Sequence, residues 1–232
     1  MRNQVVSHED WLRARLDLLA AEKEFTRQRD ALTRRRQQMP WERVEKDYRF
    51  EGPNGPLSLA DLFEGRSQLV VYHFMFAPDW DEGCKSCSFW ADTFDGIPIH
   101  LAHRDVAFTA ISRAPFAKLD AYRRRLGWSF PWVSSHGSDF NYDYHVSFTP
   151  AEMEAGEACY NYEVQSDTGS DQPGISVFAR DDTGQVFHTY SCYTRGIDMV
   201  NGAYQFLDLV PKGRDEDALK FTMSWVRRND QY

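Results

Sequence analysis

The sequence predicts an α/β protein, a mixed central sheet flanked by helices, with a helical extension in front of it. Three observations lead there. Between residues 66 and 135, short continuous apolar runs alternate with stretches of helical spacing, the order expected of a parallel sheet built with right-handed crossovers. Further on, "GISVFAR" (174–180) and "QVFHTYS" (185–191) flank the turn "DDTG" (181–184), which is the pattern of a β-hairpin. Residues 7–37 carry helical periodicity and no strand signal.

The elements follow in chain order. Ser7 is placed to cap the first helix, with Asp10 three residues on. Trp11, Leu12, Leu16, Leu19 and Phe25 recur at near-helical spacing, and Arg34, Arg35 and Arg36 sit where cations favour the helix dipole. They read as a solvated helix end rather than as a nucleic-acid or membrane contact. Pro40 closes the helix. The chain therefore divides into an extension, residues 1–40, and a domain, residues 41–232, and the extension's apolar stripe is expected either to pack on the domain or to form a homodimer contact. After the turn "GPNGP" (52–56), "LSLADLFEG" (57–65) reads as one helical turn ended by Gly65. "QLVVYHFMF" (68–76) is a strand buried on both faces, "CSFWADTF" (87–94) a helix, "DVAFTAIS" (105–112) a second buried strand, and "APFAKLDAYRRRLG" (114–127) an amphipathic helix ending at Gly127. "FPWVSS" (130–135) is a third, short strand. An aromatic-rich insert covers about 134–172, with a short helix starting at Thr149-Pro150. A last helix is expected at about 197–209.

Composition narrows the function classes. The 232 residues, 42% hydrophobic and 15% aromatic, suffice for a sizeable core, and a net charge of −8 repels phosphate backbones, so no nucleic-acid role is expected. Apolar runs are too short for a signal peptide or a bilayer span, which predicts a cytoplasmic protein with no membrane partner. Four cysteines are too few for a disulfide scaffold at this length.

Chemistry centres on "WDEGCKSCSFW" (80–90), where Cys84 and Cys87 lie three apart between a predicted strand and a predicted helix. Sites of open α/β sheets collect at the carboxyl ends of strands. A thiol at a helix start is favoured as thiolate, the nucleophilic form. Cys84 is then the attacking thiol and Cys87, one turn deeper, the resolving one. Lys85 adds positive charge, while Asp79, Asp81 and Glu82 oppose the thiolate. A zinc site would need two more ligands, and Cys159 and Cys192 stand alone, so no metal and no cofactor is called for. Two inert core thiols are the bland alternative. His73 reads either as a group tuning the thiol or as a hydrogen-bonded core histidine. Arg113, just past the second strand, would stabilise a thiolate, bind an anionic substrate or form a surface salt bridge. The pair at i, i+3 in "HLAHRD" (100–105) lies in a connection leading to that strand.

The strand–CxxC–helix junction resembles the thioredoxin fold. "SDFNYDYHV" (138–146) is similar to a stretch of its thiol-peroxidase-like branches, and Pro173 lies near where thioredoxins carry a cis-proline facing the cysteines. At family level, "PDWDEGCKSCSFWADTFDG", "HLAHRDVAFTAISRAP", "GWSFPWVSSHGSDFNYDYHVSFTP" and "VFHTYSCYTRGIDMVNGAYQFLDLVPKGRDE" resemble the bacterial domain of unknown function 899 family, described as predicted dithiol-disulfide oxidoreductases of thioredoxin-like fold. The resemblance implies a thioredoxin-like domain with Cys84 and Cys87 as catalytic residues and Trp80, Lys85, Ser86, His73, Arg113 and Pro173 around them. Its partner would be a protein or small-molecule thiol or disulfide. The alternatives are a non-catalytic ligand- or metal-binding protein of the same fold and an atypical thiol peroxidase. Here Gly83-Cys84-Lys85-Ser86-Cys87 replaces the thioredoxin Trp-Cys-Gly-Pro-Cys, and the threonine of thiol peroxidases is absent: that position holds Asp81 relative to Cys84.

Overall fold

The computed structural model describes residues 3–232, which fall into two compact units divided after Pro40. The first is one long helix, α1 (His8–Gln37), whose N-cap Ser7 accepts the Asp10 amide at 3.1 Å. Glu9 and Asp10 occupy its first turn and Arg34, Arg35 and Arg36 its last, both in favour of the dipole.

The second unit opens with β1 (Glu42–Arg43) and the hairpin β2 (Arg49–Gly52) and β3 (Gly55–Ser58). A single 3-10 turn, Asp61–Phe63, follows, and β4 (Gln68–His73) leads to α2 (Lys85–Ala91). Then come α3 (Ile97–Ala102), β5 (Val106–Ser112), α4 (Phe116–Leu126) and β6 (Trp132–Ser134). The insert folds as α5 (Phe140–Asp143), α6 (Pro150–Ala155) and a small hairpin, β7 (Ala158–Tyr160) with β8 (Glu163–Gln165). The chain ends with β9 (Gly174–Arg180), β10 (Val186–Tyr193), α7 (Gly202–Leu207) and a largely irregular tail.

The main sheet runs β1-β10-β9-β4-β5-β6-β2-β3. β4 lies in the middle of it, parallel to β5 (Tyr72 opposite Ala110) and antiparallel to β9 (Tyr72 opposite Ile175). Because side chains alternate along a strand, β4 feeds two cores. Leu69 and Val71 enter one with Phe140 and Phe178, whereas Tyr72 and, beyond the strand's end, Phe74 and Phe76 enter the other with Cys87, Trp90 and Trp132. The second core carries most of the aromatic mass, in edge-to-face contacts such as Tyr72–Phe94 and Phe89–Tyr204.

Two elements differ from the sequence expectation. A short helix, α3, occupies part of the expected connection before β5, because Pro98 falls in its first turn, where a missing N–H costs nothing. The expected helix at 197–209 is split: a 3-10 stretch, Thr194–Val200, precedes α7, whose cap Asn201 accepts the Tyr204 amide at 3.1 Å. The short helix expected at Thr149-Pro150 in the insert is α6. Thr149 and Glu152 form a reciprocal capping box, with Glu152 accepting the Thr149 amide at 2.7 Å and returning its own amide to the threonine hydroxyl at 3.2 Å. Among the described residues no helix is long and apolar enough to cross a membrane.

His73, at the end of β4, is 1% exposed. Its Nε2 meets the Ser176 hydroxyl at 2.8 Å, and Ser176, Ser191 and His188 Nε2 continue as a chain of 2.8 Å contacts. Burial, with a smaller contribution from His188, holds His73 neutral and lowers its pKa from 6.5 to about 3. The unfolded chain binds this proton and the folded chain does not, so between those values stability rises with pH. Acidification from neutrality should therefore lower the unfolding free energy below about pH 6.5, by up to ~1.4 kcal/mol per pH unit, read from urea unfolding at each pH. A His73→Gln variant should show a flatter profile, and an unchanged slope would exclude His73 as its source.

Candidate active site

The thiol pair lies in the loop leaving β4 and at the start of α2. The loop is held to the sheet through backbone groups: the Cys84 amide donates to the Met75 carbonyl at 3.0 Å, and the Ala114 amide donates to the Phe76 carbonyl at 2.8 Å. Gly83 is required here by space, because a Cβ at this position would lie 2.8 Å from Phe74 Cε1 and 3.0 Å from Tyr122 Cε1. Cys84 occupies the N-cap position of α2.

The two cysteines differ in environment. Cys84 is half-buried, whereas Cys87 is 2% exposed. The Cys87 thiol donates toward the Cys84 sulfur, and the backbone amides of Cys87 and Ser86 and the Ser86 hydroxyl add to it; against the opposing effect of burial, these lower the Cys84 pKa from 9.0 to about 6. Burial, the Cys84 contact and its charge push the Cys87 thiol well up. Facing Cys87 from the sheet is Tyr72, fully buried, whose hydroxyl has no nitrogen or oxygen partner and is directed at the Cys87 sulfur. The Met75 amide also addresses Cys87. A polar line of Tyr72 hydroxyl, Cys87 sulfur and Cys84 sulfur thus runs from the core toward the surface.

Of the acidic neighbours, Glu82 is handled by arginines distant in sequence. Glu82 pairs with Arg125 and, at 2.9 Å, with Arg228. The same Arg228 donates to the Gly83 carbonyl at 2.9 Å and to the Tyr122 hydroxyl at 2.7 Å. Tyr122 in turn reaches the Gly83 carbonyl at 3.2 Å and Ser88 at 3.0 Å. The C-terminal tail therefore braces the cysteine loop, and buried Val226 and Trp225, set against Phe89, anchor it.

The residues singled out in the sequence separate in space. Ser86 faces Cys84 directly. Trp80 packs against the aromatic core beside the pair, and its carbonyl accepts Lys118 at 2.7 Å. Lys85 reaches away, to the Ser224 carbonyl of the tail at 3.2 Å. His73 points to the opposite face of β4 from Tyr72 and is a core histidine bonded to Ser176, not a partner of the thiols. Arg113 does not act as a thiolate partner. Its Nε donates to buried Asp171 at 2.8 Å and its Nη1 to the Tyr142 hydroxyl at 2.8 Å, because the insert folds back over the end of β5 and supplies a carboxylate there. The cis-proline expectation at Pro173 is also corrected. No peptide among the described residues is cis, and the trans segment is held by the insert, with the Gln172 amide on the Val146 carbonyl at 2.8 Å and the Tyr160 hydroxyl on the Pro173 carbonyl at 2.7 Å. Among the described residues no group of three His, Cys, Asp or Glu side chains is placed to hold a metal ion.

Tyr72, Tyr122 and Arg228 escaped the sequence reading. Tyr72 carried a faint signal, a phenol inside an otherwise apolar run. Arg228 carried none, lying 145 residues from Gly83.

A parallel β4–β5 unit, an antiparallel β9–β10 hairpin on the other side of β4, and a thiol pair at the carboxyl end of β4 together define a thioredoxin-like protein. Within that class the chain belongs to the family described as bacterial protein of unknown function, DUF899, whose profile matches residues 1–232. No curated protein sequence matches it. Among solved structures it is similar to peroxiredoxin Q from Xanthomonas campestris, at 14% identity and a TM-score of 0.44 over 71% of this chain and 95% of that one. It is also similar to peroxidoxin BcpB from Mycobacterium tuberculosis, at 14% identity and a TM-score of 0.42 over 70% and 93% of the two chains. A putative thiol:disulfide interchange protein, DsbE, from Chlorobium tepidum matches at 14% identity and a TM-score of 0.40 over 72% and 94%.

Proposed function

We propose that the protein is a dithiol-disulfide oxidoreductase. The observation that carries this reading is the asymmetry of the pair: a half-buried Cys84 with its pKa lowered to about 6 beside a buried Cys87 with its pKa raised. Such a pair has one thiol ionised at neutral pH and one held in reserve as a proton donor.

The steps balance without a cofactor. The Cys84 thiolate attacks one sulfur of a substrate disulfide, forming a mixed disulfide and expelling one substrate thiolate, which takes up a proton. Cys87 then loses its proton and attacks the Cys84 sulfur, expelling the second substrate thiolate. The substrate gains two electrons and two protons, and the protein ends with a Cys84–Cys87 disulfide. Tyr72 acts as a positioning residue in the second step, because its hydroxyl and the Met75 amide are the donors that stabilise a Cys87 thiolate in an otherwise apolar setting.

Alkylation of the reduced protein tests the reading. Cys84 should react with iodoacetamide as pH rises through about 6, while Cys87 stays protected in the same range. Exposure to a small disulfide such as oxidised glutathione should then remove both thiols from alkylation together, with a Cys84–Cys87 link seen by peptide mass. Reaction of both cysteines only at the pH of ordinary thiols, with no internal disulfide formed, would overturn the proposal.

A further inference from the structure

Among the described residues up to Pro40, no second element accompanies α1 within its own unit. The helix nevertheless carries an ordered apolar seam. Trp11, Leu18, Phe25 and Leu32 recur at intervals of seven, with Ala14 and Ala21 three residues after the first two. Gln28 and Arg35 continue the second series into polar territory. The spacing is that of a and d positions in a two-stranded coiled coil: the large apolar a series runs from Trp11 to Leu32, about 30 Å at 1.5 Å per residue, and the d series is small in its first two positions. Isolated helices are marginal in water even at favourable length, so such a seam calls for a partner.

The charges beside the seam indicate which partner. In this frame the g positions are Asp10, Asp17, Glu24 and Ala31, and the e positions are Arg15, Glu22, Arg29 and Arg36. Two antiparallel helices would set acidic g positions against acidic g positions. Two parallel copies in register would instead bring each g residue to the e residue five positions on in the other chain. Asp10 would then meet Arg15 of the partner subunit, and Glu24 would meet Arg29 of the partner subunit. Asp17 faces the unfavourable partner, Glu22 of the partner subunit. Glu22 is bonded to Arg15 of its own helix at 2.8 Å, which moderates that contact. Small residues at the first two d positions let the helices approach closely around the large a side chains.

We infer that α1 pairs with α1 of a second copy of this chain as a parallel two-stranded coiled coil, making the protein a homodimer through its N-terminal helix. Light scattering of the full-length protein should give twice the chain mass. A Leu18→Glu/Phe25→Glu variant should fall to the monomer mass while the near-UV spectrum of the domain and the alkylation of Cys84 stay unchanged. Leu18→Met/Phe25→Leu should remain dimeric. For orientation, Ala14→Cys should crosslink to itself under mild oxidation into a reducible dimer, with wild type as control, since only a parallel pair brings the two copies of this position together. A monomeric wild type, a dimer indifferent to the double glutamate variant, or failure of Ala14→Cys to crosslink would each overturn the inference.

Discussion

Cys84→Ser is expected to abolish disulfide exchange completely, and Cys87→Ser to stop it at the mixed disulfide. The two outcomes differ because the two thiols sit at different depths. Cys84 is half-buried and receives hydrogen bonds that favour its thiolate, whereas Cys87 is 2% exposed and lies beneath the start of α2. Removing Cys84 leaves a buried, protonated thiol that no substrate disulfide can approach. Removing Cys87 leaves an attacking thiolate with no resolving partner, so the substrate should stay attached through Cys84, visible as an added mass that reductant removes. Alanine at position 87, which removes the donor, should also raise the Cys84 pKa, because the Cys87 thiol contributes most to lowering it. Retained exchange in either variant would remove the proposed roles. A mixed species on Cys87 in the Cys84→Ser variant would reverse them.

Arg113→Ala is expected to destabilise the domain by about 3–5 kcal/mol, the usual cost of leaving one member of a buried ion pair alone. The side chains of Arg113 and Asp171 are 14% and 4% exposed, and one oxygen of Asp171 already lacks a hydrogen-bond partner. Ser147 is the other donor to the remaining oxygen, at 2.5 Å, so the arginine is the only charge balancing this carboxylate in the contacts described. Loss of Arg113 would also free Tyr142, over whose ring the guanidinium lies at 5.3 Å. Urea unfolding gives the magnitude. The same variant distinguishes a structural role from a thiolate-stabilising one: the pH profile of Cys84 alkylation should not move. Unchanged stability with a rise in the Cys84 pKa would return Arg113 to the thiol site.

Much of this architecture was legible in the sequence because it depends on local patterning. Apolar runs bounded by turns located β4, β5 and β9, and the Thr149-Pro150…Glu152 signature located the start of α6. The same patterning placed Cys84 and Cys87 at a strand-to-helix junction. It also set the depth order of the two sulfurs, since residues three apart at a helix start lie one turn apart.

The electrostatics of the site could not be read in this way, because they are set by groups far apart in the chain. Sequence proximity made Lys85, Glu82 and Arg113 the natural modulators of Cys84. In the folded chain Lys85 turns to the tail, Glu82 is neutralised by Arg125 and Arg228, and Arg113 belongs to Asp171. The groups that face the sulfurs are backbone amides, Ser86 and Tyr72. Charge interactions fall with distance in space and are indifferent to separation along the chain. By itself, then, the sequence determined the fold and the location of the thiol pair. Only the tertiary structure decided what surrounds the pair, because that depends on how the insert and the C-terminal tail close over the end of β4 and β5.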